Sequence, residues 1–420
     1  MSNPTKRILL IAYHYPPVKG SSGMQRTLKF AEYLPAFGWE PLVLSVHPRA
    51  YARTNPEQLA EIPAGQVVRR AFALDTGQHL AIRDYYPRLL AIPDRWASWW
   101  LGALPVALSM IRRYRPEVIW STYPVATAHL IGLSLRRLTG LPWVADFRDP
   151  MVDEVTTIDA IERRVFAWLE ARSVRHCERA VFVTPGAEAL YRRRYPGLEA
   201  RTRVIANGFD ERHFTRPPMT LAAAGDKPLT LLHSGIMYRD ARDPEAFFRA
   251  LVALKARGEI SAENLRIVLR DARYEKHHGA RIAHYGIGDL VHLAPVVGYR
   301  EAINEMFEAD GLLLFQAASC NRQIPAKAYE YLRTGRPILA LTDPAGDTAG
   351  LLRDNGVDSI VALDRSDAIV EALRAFLARL RVGSAPFADP TRAASYSRRG
   401  RTRELAALLD ELTEARFASG

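Results

Sequence analysis

Lys327 and Glu330 lie three residues apart in the stretch NRQIPAKAYEYLRTGRPILALT, Asn321 to Thr342. An ammonium and a carboxylate at that spacing have two uses. They can pair with each other on a solvated helix face. Alternatively the carboxylate is left to accept two hydrogen bonds from a vicinal diol such as a ribose. The second use needs a helix whose start is aimed at a ligand, and the sequence supplies its punctuation. Pro325 suits a first turn, because its missing N–H costs nothing there. Ala326 to Leu332 reads as a short helix, Gly335 as its stop, and Pro337 forbids continuation. Ile338 to Leu341 then reads as a short buried strand. Ile324, Pro325, Ala326 and Lys327 form the helix tip, where free N–H groups and the helix dipole favour an anion. Phosphate at the tip and diol at the side outline a nucleotide.

Two other places could bind or do chemistry. After the apolar run Leu229 to His233 comes SGIMYRDARDP, which sets Gly235 beside Arg239 and Arg242. A glycine near a phosphate and arginines for bidentate anion binding are what a diphosphate needs. The rival reading is an exposed loop of balanced charge. After Pro142 to Phe147 (PWVADF) comes Arg148-Asp149-Pro150. Ligands of open α/β sheets bind outside the carboxyl ends of the strands, so Asp146, Arg148 and above all Asp149 are candidates. Each has the alternative of a loop cap or structural ion pair.

These groups must be carried by repeated strand–helix units. Arg7 to Tyr13, a loop with Gly20 and Gly23, a helix from Arg26 to Phe37 and the strand Pro41 to Val46 make one βαβ unit. The loop lacks the G-x-G-x-x-G spacing of dinucleotide sites. Further short strands are expected at 116–120, 142–147, 180–183, 265–269, 291–293 and 309–315, with a long Glu/Arg-rich helix presenting a solvated face over 158–179. Asn207-Gly208-Phe209-Asp210 is a turn, and Pro-rich, small-residue chain continues to about Lys227, marking a domain boundary. The alternation predicts an α/β protein of two parallel-sheet domains.

The chain has 420 residues, too many for one ordinary core. Lys plus Arg number 57 and Asp plus Glu 46, a net charge of +11. No zinc-finger spacing, helix-turn-helix pattern or aromatic platform accompanies this basicity, which argues against nucleic acid. It fits an anionic membrane face better. Residues 80–115 set Tyr85, Tyr86, Trp96, Trp99 and Trp100 ahead of an apolar run and Arg112, Arg113 and Arg115. Such a segment either seats in a membrane interface or packs the first domain and lines a groove there. Cys177 and Cys320 lie far apart and form neither a disulfide framework nor a metal cluster. No signal peptide and no spanning helix are read from the sequence, so a cytoplasmic protein is expected, with peripheral contact on the inner membrane face through 80–115.

P-x-K-x-x-E-Y-L-x-x-G-x-P before an apolar strand resembles the nucleotide-sugar site of retaining glycosyltransferases of family 4. VADFRDPM and the N-G-x-D at 207–210 resemble further segments of that family, and the likeness spans nearly the whole chain. It implies the GT-B fold, two Rossmann-like domains facing across a cleft. Residues 1–212 would bind the acceptor and residues 213–390 the nucleotide sugar, and 391–420 would form a helix crossing back to the first domain. It implies that Glu330 holds the ribose, that Gly235, Arg242 and Arg239 grip the diphosphate, and that Val296 and Val297 touch the base. Gly20, Gly23 and Arg26 would lie near the transferred phosphate and the acceptor, and Asp149 would position sugar or acceptor. Arg322 stands where many members carry an acidic residue, a departure at the sugar. The implied function is retaining transfer of a sugar from a nucleotide diphosphate-sugar to a saccharide, a polyprenol-linked acceptor or a small molecule. Attack comes from the leaving group's face, with no protein nucleophile, no metal and no separate cofactor. A sugar-nucleotide epimerase and a non-catalytic binding protein on the same fold are the alternatives.

Overall fold

A computed structural model describes residues 6–418 apart from 20–22, 82, 84, 87, 153–158, 218–226 and 240. The chain divides into two compact units, Met1–Ala206 with Arg398–Gly420, and Asn207–Ser397.

The first unit is built on a seven-stranded sheet in the order β3-β2-β1-β4-β5-β6-β7. The strands are β1 Lys6–Ile11, β2 Trp39–Val46, β3 Val67–Ala71, β4 Val118–Thr122, β5 Trp143–Phe147, β6 Arg179–Phe182 and β7 Thr202–Val204. Every pairing is parallel. A parallel sheet must be covered on both faces, which is why Ile8 to Ile11, Leu42 to Leu44 and Val118 to Trp120 are fully buried and apolar without alternation. The first helix runs Met24–Tyr33 and tightens to a 3₁₀ turn over Leu34–Phe37, earlier than expected. Pro35 enters that turn, and Gly38, at φ +83°, closes it.

The second unit has six parallel strands in the order β10-β9-β8-β11-β12-β13. They are β8 Leu229–Ser234, β9 Leu265–Arg270, β10 Val291–Ala294, β11 Gly311–Phe315, β12 Ile338–Leu341 and β13 Ile360–Val361. In each sheet the strand order reverses beside the first strand, between β1 and β4 and between β8 and β11. Successive helices leave to opposite faces there and open a crevice at the strand ends.

The division falls at Ala206, six residues before the expected 212. The Asn-Gly turn belongs to the second unit. Phe209 N–H donates to Tyr396 O at 3.2 Å, and the Glu211 carboxylate pairs with Arg333. The chain returns to the first unit with the helix Arg398–Ala418. Its Leu405, Leu408, Leu409 and Leu412 join Leu10, Trp39 and Trp120 in one apolar cluster. Asp410 ties the helix to β1 and β2, accepting from Lys6 Nζ at 2.8 Å and Trp39 Nε1 at 3.1 Å.

The aromatic segment splits in two. Trp99 is fully buried, Trp96 donates to Asp75 and Trp100 to Ser134, so the tryptophans pack the first unit. Tyr85, Leu89 and Leu101 remain largely exposed. Among the described residues no helix is long and apolar enough to cross a membrane.

Candidate functional site

In the second unit the switch point gathers most of the expected donor residues. The helix Ala326–Thr334 starts at Pro325, which has extended backbone, and no side chain caps it. Its approach is fixed from behind. Gln316 Nε2 donates to Cys320 O and Gln323 O, and Asp347 N–H donates to Asn321 O. Tyr331 anchors the other side, its hydroxyl accepting from Ser234 N–H at 2.9 Å. The helix is thereby fastened to the end of β8, one residue before Gly235.

Gly235 adopts φ +118°, and a Cβ built there would lie 2.6 Å from Lys327 Nζ. Only glycine fits the conformation without strain, and only the absence of a side chain leaves the ammonium its place. Lys327 Nζ sits 3.2 Å from His233 Nε2. His233 Nδ1 lies 2.9 Å from Leu313 O, a contact that requires the proton on Nδ1. Nε2 therefore carries the lone pair and accepts from Lys327. Burial holds His233 well below the usual imidazole range, with Lys327 adding to it, so the ring is neutral. Burial of its ammonium, then Arg242, push Lys327 well below the usual lysine value.

Arg242 gives one hydrogen bond, to Ile236 O at 2.9 Å, and lies over the Tyr238 ring. Burial lowers its pKa. Neither Arg242 nor Lys327 forms an ion pair among the described residues. Two cations side by side, with Glu330 and Asp271 near Lys327 but not paired with it among the described residues, are poised for an anion. Arg239 is exposed and lies over Tyr274, outside this pair. Glu330 does not pair with Lys327. Its Oε1 accepts from Tyr299 Oη at 2.7 Å, which holds the carboxylate and leaves Oε2 for another donor. Val297 is half-buried in the loop between β10 and the helix Tyr299–Glu308, Val296 is exposed there, and Ile324 is half-buried just ahead of Pro325. Ala326 is exposed at the helix tip.

In the first unit the crevice between β1 and β4 holds a small pocket lined by Tyr13, His14, Gly23, Thr122, Tyr123 and Arg148, among others. The Arg148 Nε has no partner among the described residues, and burial lowers the pKa of this guanidinium, against Asp146 and Asp149. His14 is pushed down to about 4, by burial first and then by Arg148. Gly23 opens the helix Met24–Tyr33; Gly20 lies outside the described residues.

Arg26 does not reach this pocket as a ligand contact. It is 2% exposed and clamps Asp146, which is 0% exposed, through two bonds of 2.8 and 3.0 Å. Its remaining donors go to Ile205 O and Ala206 O. With every group engaged inside the fold, Arg26 and Asp146 tie the first helix and β5 to the end of the unit. Asp149 is half-buried on the loop after β5.

Glu170 was expected on a solvated helix face, and it is fully buried. It accepts from Tyr191 Oη, Tyr195 Oη, Arg194 and Val152 N–H. Tyr191 Oη also accepts from Met151 N–H. This hub fixes the chain immediately after Arg148 and Asp149. Glu170, His14 and His233 are thus site or support residues that local sequence pattern did not mark. The only signal was position, His233 lying near the end of β8 and His14 in the loop that follows β1.

Residues 22–208 match the family described as glycosyl transferase 4-like domain. This match falls almost wholly within the first unit. Solved structures extend the likeness over the whole chain. Sucrose-phosphate synthase from Thermosynechococcus elongatus superposes with a TM-score of 0.62 at 16% identity, covering 99% of this chain and 100% of that one. Anabaena HepE in complex with UDP gives 0.66 at 14% identity, over 96% and 100%. UDP-GlcNAc 2-epimerase from Methanocaldococcus jannaschii gives 0.56 at 11%, over 96% and 99%. A search of curated protein sequences finds no match. At such identities the structural likeness carries the fold alone: two parallel-sheet α/β units in the GT-B architecture.

Proposed function

We propose that this protein transfers a sugar from a nucleotide diphosphate-sugar to an acceptor with retention of anomeric configuration. The observation that carries the reading is the pair of cations Lys327 and Arg242, neither in an ion pair among the described residues, beside Gly235 and a carboxylate, Glu330, held by Tyr299. Arg242, Lys327 and the Pro325 helix tip neutralise the leaving diphosphate as preorganised charges. Glu330 Oε2 accepts from the ribose, and Val297 and Ile324 border the base. Arg148 and Asp149 orient sugar and acceptor. The leaving phosphate oxygen takes the acceptor's proton, so no protein nucleophile is assigned. The cations supply the neutralising charge that a metal supplies elsewhere, and the reaction proceeds without one. Exposed Tyr85, Leu89 and Leu101 in the first unit support a peripheral seat on the inner membrane face and a lipid-linked acceptor. The solved HepE complex with UDP supports a uridine donor.

The test is to incubate the full chain with candidate nucleotide sugars and lipid-linked or free saccharide acceptors, with and without EDTA, and assign the product's anomeric proton by NMR. An α-linked product from an α-donor, undiminished by EDTA, is expected. Inversion, or epimerised nucleotide sugar with no transfer, would overturn the reading.

A further inference from the structure

The first unit carries a second basic pocket at the other end of its sheet. Arg179 opens β6, Arg201 immediately precedes β7, and Arg136, Arg137 and Arg175 come from the last turns of the helices Ala126–Thr139 and Ala160–His176. These five arginines, with His176, Cys177 and Glu178, line an open cavity of about 460 Å³. It lies where strands begin, whereas His14 and Arg148 lie where strands end. No step of the proposed reaction uses it.

Its charge is not balanced from within. Five guanidinium groups against the one carboxylate of Glu178 leave four positive charges. Two helix C-termini each contribute about half a negative charge, which brings the sum to about three. Glu178 is already engaged, Oε1 with Arg136 at 2.5 Å and Oε2 with Trp143 N–H at 2.7 Å. Arg201 is fastened by two bonds, to Val174 O and Cys177 O, and Arg179 by one, to Glu178 O. Arg175 is exposed and makes no hydrogen bond or ion pair among the described residues. Among the described residues the Arg137 side chain meets only His176 Nε2, at 3.3 Å, a contact that requires the ring nitrogen to be unprotonated. His176 is held below the ordinary imidazole value, by burial first and then by Arg137, Arg172, Arg175 and Arg136. The half-buried ring thus responds to the positive field of the cluster.

Guanidinium forks pair with phosphate oxygens two at a time. A cavity of this size would be mostly empty around a lone orthophosphate, since one water occupies about 30 Å³ of liquid. We infer that this pocket is an anion site for a diphosphate or a phosphate ester, with Arg137 and Arg175 as its adjustable contacts and Arg179 and Arg201 as its fixed ones. The same chemistry is offered by a free phosphorylated small molecule and by an anionic lipid headgroup.

Inorganic pyrophosphate is the probe for the first source, and phosphatidylcholine vesicles with and without phosphatidylglycerol for the second. The full chain is compared with the double variant Arg137→Ala, Arg175→Ala by isothermal titration calorimetry and vesicle co-sedimentation. Circular dichroism and the melting temperature report folding, which two exposed positions are expected to leave intact. Pyrophosphate titrates two sites in the native chain, one of them in the second unit, and the double variant keeps that one while the other weakens about tenfold or more. Loss of phosphatidylglycerol-dependent sedimentation in the same variant identifies the headgroup as the source. Unchanged sedimentation with weakened pyrophosphate binding identifies a soluble anion. A pyrophosphate isotherm identical in native chain and double variant overturns the site.

Discussion

Each unit has an arginine on the loop or helix that comes after its first strand, and the two have opposite surroundings. Arg26 in the first unit is enclosed and bound to Asp146 and two carbonyls. Arg242 in the second unit gives one hydrogen bond, lies on a tyrosine ring and has another cation, Lys327, for company. The local motif, strand then glycine loop then arginine, is shared. What separates a strut from a ligand contact is whether the fold itself supplies the counter-charge. A buried guanidinium whose carboxylate is built in has no reason to bind another anion. One that is left unneutralised stores an electrostatic cost that a ligand relieves.

The comparison can be broken most severely at Arg26. Replacing it with alanine strands the Asp146 carboxylate in the core, and the expected loss of stability is roughly 3–5 kcal/mol, read by chemical denaturation. A variant of native stability that had lost only turnover would make Arg26 a ligand contact after all.

Arg242→Ala should do the reverse. Its melting temperature stays within a few degrees of native, and nucleoside diphosphate affinity falls by about 1.5–3 kcal/mol, the range of a hydrogen bond to a charged group. Equal affinity in calorimetry would remove Arg242 from the diphosphate. Gly235→Ala forces a side chain onto φ +118° and against the Lys327 ammonium. We expect donor affinity to fall about tenfold and stability by about 1 kcal/mol; a fully native variant would show that Lys327 does not need its place.

A smaller effect should appear with pH. Lys327 is held below the usual lysine value in the free protein, by burial and then by Arg242. Where the pH lies above that lowered value, a bound diphosphate restores the ammonium and binding takes up a proton. Affinity is then constant below the lowered value and declines as pH rises from it toward the ordinary lysine range. His233, lowered as well and facing Lys327, remains neutral through that window and adds no opposite slope. Affinity measured from pH 6 to 10 should decline in the native chain and stay flatter in Lys327→Met. Glu330→Gln separates ribose from phosphate: nucleoside diphosphate binding weakens while pyrophosphate binding in the second unit is unchanged. Equal weakening of both would place Glu330 at the phosphates instead.

Much of this was legible in the sequence because it is local. The βα alternation, the helix opened at Pro325 and closed at Gly335, and the Asn-Gly turn near the division all rest on neighbouring residues. Pairings across long stretches of chain were not. Arg26 meets Asp146 across 120 residues, Lys327 meets His233 across 94, and Tyr299 meets Glu330 across 31. Strand order decides such pairs, and composition carries no trace of them. Glu170 misled for a related reason. A Glu/Arg-rich helix reads as solvated, yet two tyrosine hydroxyls, an arginine and a backbone N–H from elsewhere enclose one of its carboxylates.

The central claim is that Arg242 and Lys327 of the second unit, which form no ion pair among the described residues, grip a nucleoside diphosphate. Thermal denaturation of the native chain and of Arg242→Ala against UDP, GDP, dTDP and ADP, with and without EDTA, tests it most directly, since a ligand of the folded state raises the melting temperature by mass action. The account predicts a clear rise with at least one nucleotide in the native chain, insensitive to EDTA and nearly absent in the variant. No rise with any of the four, or a rise of equal size in the variant, would contradict it.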